Sequence, residues 1–162
     1  MCETGVTEEI QLCKILVGNT LLGVEVSDLR EINSVGKISP IHHTTEEVLG
    51  YMDIRGQIHL ILDIRPCLDI PSGDGGNFSD SKVLIFKSQK NEPVGILVDQ
   101  VLDIGYIHKD QIETKGLSNN EDFGSGKVFL KGICKLEGRL MFLFDLDKIL
   151  EKVESKLKNN LT

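Results

Sequence analysis

The chain carries an imperfect copy of itself. Residues 50–68 return as residues 132–150 at a constant offset, so that Gly50, Gly56, Asp63 and Leu68 fall on Gly132, Gly138, Asp145 and Leu150. Nearly every apolar position of one copy meets an apolar position of the other. A second echo precedes each copy, with residues 23–32 resembling residues 95–104 and Gly23 falling on Gly95. A repeat near half the chain length, present twice, predicts two similar modules packed together, because solenoids stack shorter units several times.

The 162 residues suit one domain or two small paired modules. A chain of this size buries roughly 70% of its unfolded surface, enough for a core without staples. Hydrophobic residues make up 40% and charged residues 27%, so a folded domain is expected. The net charge of −7 speaks against a general nucleic-acid binder, which needs a cationic face. No apolar run approaches the roughly 18 residues of a membrane span, and residues 1–10 lack a basic-then-apolar signal pattern. No direct membrane insertion is expected. Cys2, Cys13, Cys67 and Cys134 form no Cys-x-x-Cys pair. Three of them sit in apolar segments, as buried free thiols do in a reducing cytoplasm.

Short apolar runs at 10–17, 21–26, 57–62, 82–86, 94–98, 128–136 and 140–144 have strand length and end in turn residues. Many short strands at regular spacing predict a mainly β sandwich or barrel. Hairpins are expected at Gly18-Asn19 and across 87–94, and tight turns at Arg55-Gly56 and Glu137-Gly138, where glycine supplies positive φ. Residues 71–80 read as the loop dividing the halves, and 115–126 as a second soft region. Asp145 is a good N-cap for a closing helix with Leu146, Ile149, Leu150, Val153 and Leu157 at helical spacing. Lys156 and Lys158 near its end suit the helix dipole. The matching Asp63 precedes Pro66, which confines any helix there to a short turn.

Catalytic spacing is missing. Gly124-Ser-Gly-Lys127 lacks the full phosphate-loop pattern and precedes a strand-like run. The carboxylates Asp99, Asp103, Asp145 and Asp147 sit at strand ends and helix starts, where capping accounts for them. His42, His43, His59 and His108 have no clamp spacing for a metal. No metal or cofactor is expected. Arg55 differs in kind, because its repeat counterpart is Glu137: it is either a solvated turn residue or a recognition arginine. Leu29-Arg30-Glu31-Ile32 reads either as an edge strand blunted by charge or as half of an interface.

At Asp53-Ile-Arg-Gly56 followed by Ile61-Leu-Asp-Ile-Arg65, the chain resembles the CheW family of chemotaxis coupling proteins, with its Asn-Leu-Arg-Gly and later Asp-Leu-Arg. The resemblance extends through 23–32, 95–104 and 132–150, from about residue 9 to residue 150. Departures are Thr45 at the second of two usual prolines (Pro40 keeps the first), Leu60 in place of a hairpin proline, and Asp53 in place of asparagine.

The resemblance implies two SH3-like five-stranded β-barrel subdomains sharing a hydrophobic core, with possible strand exchange and a C-terminal α-helix. The domain would span 9–150, with halves of about 9–70 and 81–150, and 151–162 would continue the helix and tail. The implied role is a non-catalytic cytoplasmic adaptor joining the cytoplasmic tip of methyl-accepting chemoreceptors to the regulatory domain of a CheA-type histidine kinase, with self-association in rings. By matching position, Arg55 with Asp53, Ile54 and Gly56 would contact the receptor tip, and Leu29 and Glu31 would lie near the kinase or receptor surface. An adaptor of another chemosensory pathway is the nearest alternative. A small-ligand-binding barrel would need convergent polar groups, for which His42-His43 and Asp99 with Asp103 are the nearest candidates.

Overall fold

The computed structural model describes residues 8–42, 44–71, 80–87, 93–114 and 128–160, the side chains of 157–160 excepted. The first repeat supplies β1 (Glu9–Val17), β2 (Thr20–Glu25), β3 (Leu29–Ser34), β4 (Ile38–Ser39), β5 (Val48–Ile54), β6 (Gln57–Leu62) and the short α1 (Arg65–Leu68). The second supplies β7 (Lys82–Phe86), β8 (Val94–Val98), β9 (Gln100–His108), β10 (Ile112–Glu113), β11 (Leu130–Leu136), β12 (Arg139–Phe144) and α2 (Leu146–Asn160). The fold is mainly β, in two sheets.

Each sheet draws strands from both repeats. One runs β10-β11-β12-β2-β1-β9 and the other β3-β7-β8-β6-β5-β4. The opening hairpin of each repeat has therefore crossed into the sheet completed by the other. The two crossings use the same register. Leu143 lies opposite Gly23 where β12 runs parallel to β2, and Ile61 lies opposite Gly95 where β6 runs parallel to β8. The bulge in the β1–β9 ladder also has its counterpart in the β3–β7 ladder. The duplication is thus a pseudo-two-fold relation between exchanged modules.

Connection length bends each sheet. Strands β3 and β4 sit at opposite ends of one sheet, yet only residues 35–37 join them. That link spans at most about 14 Å, whereas six strands laid flat span roughly 24 Å. The sheet must curl until its ends approach. Residues 109–111 impose the same on β9 and β10. Each curled sheet comprises five longer strands and one of two residues.

Strand alternation then divides the core into three. Met52, Ile54, Ile61, Val83, Ile85 and Leu97 fill one module, and Leu12, Leu21, Ile107, Cys134, Met141 and Leu143 fill the other. The neighbours of these residues along the strands face the opposite way. Cys13, Leu22, Leu62, Leu84, Phe86, Ile96, Phe142 and Phe144 meet in the junction between modules. Period-2 alternation with both faces apolar is what this demands. The junction is closed by α2, which contributes Ile149 and Val153. Asp145 caps it, as expected, by accepting the Lys148 N–H at 3.3 Å. Asp63 accepts the N–H of Arg65 at 3.0 Å, and Pro66 falls in the first turn of α1, as its ring requires.

Strand β11 begins at Leu130, two residues later than the run 128–136 suggested. The loop at 72–79, the hairpin tip at 88–92, the soft region 115–127 with Gly124 to Lys127, Cys2, His43 and the side chains of Leu157 and Lys158 lie outside the described residues.

Candidate functional site

The β5–β6 hairpin turns in two residues, with Ile54 opposite Gln57. Arg55 has φ 51° and Gly56 has φ 83°, so both central residues are left-handed. This geometry matches the right-handed twist of the flanking strands and normally selects Asn-Gly or Gly-Gly. Asp53 supports the turn by accepting the Gly56 N–H on Oδ1 at 2.8 Å. In the second copy Gly138 alone has positive φ, at 69°. The two turns have therefore diverged in backbone as well as in charge.

Arg55 projects from this tip and pairs through Nη2 with Glu31 Oε2 on β3, two strands that the curl brings together. Asn33 Nδ2 donates to the other oxygen of Glu31 at 3.0 Å. The hydrogen bond from Arg55, then that from Asn33, holds the Glu31 carboxyl below its ordinary value. The Arg55 side chain remains 68% exposed while that of Glu31 is 25% exposed. Glu31 thus poses the arginine, and Arg55 is the outward element.

The sequence-derived residues separate by direction. Arg55, Gly56 and Asp53 are exposed at the tip, and Glu31 stands beside them. Leu29, half-buried, packs on the junction core. Ile54 is buried inside its module, so its side chain holds the turn from below and offers no outward contact.

Several outward apolar residues escaped the sequence reading. Tyr51 and Ile58 lie on the outer face of the β5–β6 hairpin at 45% and 53% exposure. Ile104 and Tyr106, two apart on β9, stand on one face of an end strand, with Leu102 also exposed near the bulge. The alternation Leu102, Ile104, Tyr106 was the available signal, but alternation marks a half-buried strand without saying which half is covered.

The groups considered for ligand chemistry have other duties. Asp99 is taken by Arg65 and by the Gly18 N–H, while Asp103 lies 3.7 Å from Lys14. His59 is buried, with Nδ1 3.0 Å from the Gln57 carbonyl. Cys13, Cys67 and Cys134 are buried free thiols, and burial pushes the Cys67 thiol up to about 11. A cavity of about 280 Å³ beside the β1–β2 hairpin is lined by Asn19, Asp69, Arg139 and Leu140, among others. Arg139 there donates to the Asn19 carbonyl at 3.0 Å. Among the described residues, no helix is long and apolar enough to cross a membrane.

Two exchanged β modules sharing one core, with a turn arginine paired to Glu31 and apolar strand faces turned outward, define a paired β-module protein. Residues 11–154 match the family model described as the CheW-like domain, and the chain belongs to that family of non-catalytic chemotaxis scaffolds. It is 26% identical over 151 residues to the chemotaxis protein CheW of Thermotoga maritima, covering 92% of this chain and 93% of that one. The chemotaxis protein CheW of Rhizobium meliloti is 27% identical over 145 residues, covering 89% of each. A crystal structure of the scaffolding protein TtCheW from Thermoanaerobacter tengcongensis shares the fold. Its TM-score is 0.73 at 21% identity, with 90% of each chain covered.

Proposed function

We propose that this chain couples methyl-accepting chemoreceptors to a CheA-type histidine kinase, holding the receptor's cytoplasmic tip and the kinase's regulatory domain in one assembly inside the cell. The observation that carries the reading is Arg55, an arginine kept in a left-handed turn and aimed outward by Glu31. A turn selected for stability would place Asn or Gly there, and backbone strain retained at an exposed residue points to recognition. A planar guanidinium suits carboxylates on a partner surface.

An adaptor of this kind needs no reactive group. It needs two partner sites whose binding free energies are coupled, typically by about 1–3 kcal/mol. The pseudo-two-fold arrangement supports such a division, with the Arg55 hairpin on one module and the Ile104–Tyr106 face of β9 on the other. Self-association in rings follows the same logic, since similar modules present similar edges to successive neighbours.

Calorimetric titration of the full chain with a kinase regulatory domain and with a receptor tip, separately and together, tests the proposal. Binding of both, with each changing the affinity for the other, is expected. Absence of binding to either at tens of micromolar removes it.

A further inference from the structure

Glu47 is fully buried, and in the internal repeat it stands where the other copy has Phe129. The backbone makes the equivalence visible. The Glu47 carbonyl accepts the Asp63 N–H at 2.7 Å, and the Phe129 carbonyl accepts the Asp145 N–H at 2.6 Å. One copy seats a ring at this point and the other seats a carboxylate. A buried carboxylate without countercharge is costly. Here the countercharge arrives from α2. Lys156 Nζ donates to Glu47 Oε1 at 2.6 Å, and Lys152 Nζ lies 3.7 Å from the same oxygen. Lys152 also stands 5.1 Å over the Phe129 ring, so one helix addresses both members of the diverged pair.

We propose that α2 is a releasable strap, with Glu47 as the buried catch that holds it, through Lys156 and Lys152, over the junction between the modules. The strap sets its own Ile149 and Val153 into the junction core, which also holds Cys67 and Leu68. The titratable groups gathered there are Lys152 and Lys156 from α2, Glu46 and Glu47 from the segment before β5, and Asp63 and Cys67 at and beyond the end of β6. Two cations face three carboxylates. Both lysines address Oε1, whereas Oε2 completes no hydrogen bond of sound geometry among the described residues. A half-satisfied buried carboxylate holds only while it and the lysines keep their charges. Phe129, by contrast, belongs to the same apolar cluster as Ile149 and Val153, and that packing does not depend on charge. Loss of either charge therefore frees the later turns of the helix and uncovers apolar junction surface, independently of which partners the adaptor joins.

Cys67 reports the opening, because it is buried in the junction core beside the catch. The test is disulfide-reagent labelling of the full chain at fixed pH, with sites resolved by mass spectrometry, for the native chain, Glu47→Gln, Lys156→Met, and Glu47→Phe with and without Lys156→Met. Glu47→Gln and Lys156→Met are expected to label Cys67 about tenfold faster or more, with Cys13 and Cys134 unchanged. Glu47→Phe is expected to keep labelling slow and to make it indifferent to Lys156. Unchanged Cys67 labelling in Lys156→Met overturns the strap. So does a parallel rise at Cys13 and Cys134, which marks opening of the whole chain.

Discussion

Arg65, the first residue of α1, forms an ion pair with Asp99, the residue at which the chain leaves one sheet for the other between β8 and β9. The second carboxylate oxygen of Asp99 accepts the Gly18 N–H at 2.5 Å, and the Asp99 N–H donates to the Leu16 carbonyl at 2.9 Å. One side chain thereby ties the β1–β2 hairpin and α1 to the sheet crossing. Asp99→Ala leaves a guanidinium and an amide short of their acceptor, which costs about 1–3 kcal/mol. Asp103→Ala is the control: Asp103 is largely exposed and 3.7 Å from its lysine, so its loss changes stability by no more than about 0.5 kcal/mol. Chemical denaturation of both variants measures the difference, and equal midpoints would refute the tie.

Arg55 predicts a split between stability and binding. Its left-handed backbone suits Asn far better than Arg, since Asn visits that region readily. Arg55→Asn is expected to leave the thermal midpoint unchanged or to raise it, although the Glu31 pair is lost. Affinity for the receptor tip should fall by about tenfold or more, as it does when an anchoring charge leaves an interface. A lowered midpoint with intact binding would make the arginine structural.

Strand positions were legible wherever both faces of a strand are buried, because apolar runs such as 94–98 and 140–144 then stand out against turn residues. Strands β3 and β9 were harder. Leu29-Arg30-Glu31-Ile32 and much of β9 carry charged or exposed residues on one face, so their apolar signal is halved. Pairing was not legible from period alone. Alternation says that Gly23 and Leu143 each lie on a strand, but the parallel contact between them depends on chain crossing more than a hundred residues apart. The Arg55 turn was readable from Gly56, whereas its partner Glu31 required the curl. Glu47 gave no signal, because the lysines that make its burial tolerable lie on the last helix.

The parallel crossings rest on two glycines, and they should differ in tolerance. A Cβ at Gly95 would come within 2.6 Å of Val83 Cγ1 and 2.8 Å of Ile85 Cδ1. A Cβ at Gly23 would meet Leu143 Cδ2 at 2.7 Å and Met141 Sδ at 3.0 Å. Valine is stiff at χ1, whereas methionine and leucine can shift. Gly95→Ala is expected to cost about 1–3 kcal/mol, and Gly23→Ala measurably less. Reversal of that order in urea denaturation would show that backbone spacing, not the facing side chains, sets the limit.

The Glu47 catch also sets a pH dependence whose sign follows from its shifts. Burial is the largest single influence and works to raise the Glu47 carboxyl, but the hydrogen bonds it accepts, that from Lys156 first, together with the Lys156 charge outweigh it and leave the folded value below the ordinary 4.5. A depressed carboxyl stabilises the fold above its unfolded value and loses that contribution as pH falls through the folded value. Lys156 is raised above 10.5, chiefly by the same hydrogen bond. Its contribution is full below 10.5 and is lost as pH rises through the folded value. Asp63 is shifted upward, mainly by burial, and works with the opposite sign, favouring the fold as pH falls through its window. Comparing variants cancels it. The stability gap between the native chain and Glu47→Gln should be constant from neutrality down to about 4.5 and shrink below that. The gap to Lys156→Met should close at both the acid and the alkaline ends. A gap as wide in strong acid as at neutrality would mean that Glu47 contributes by shape and not by charge.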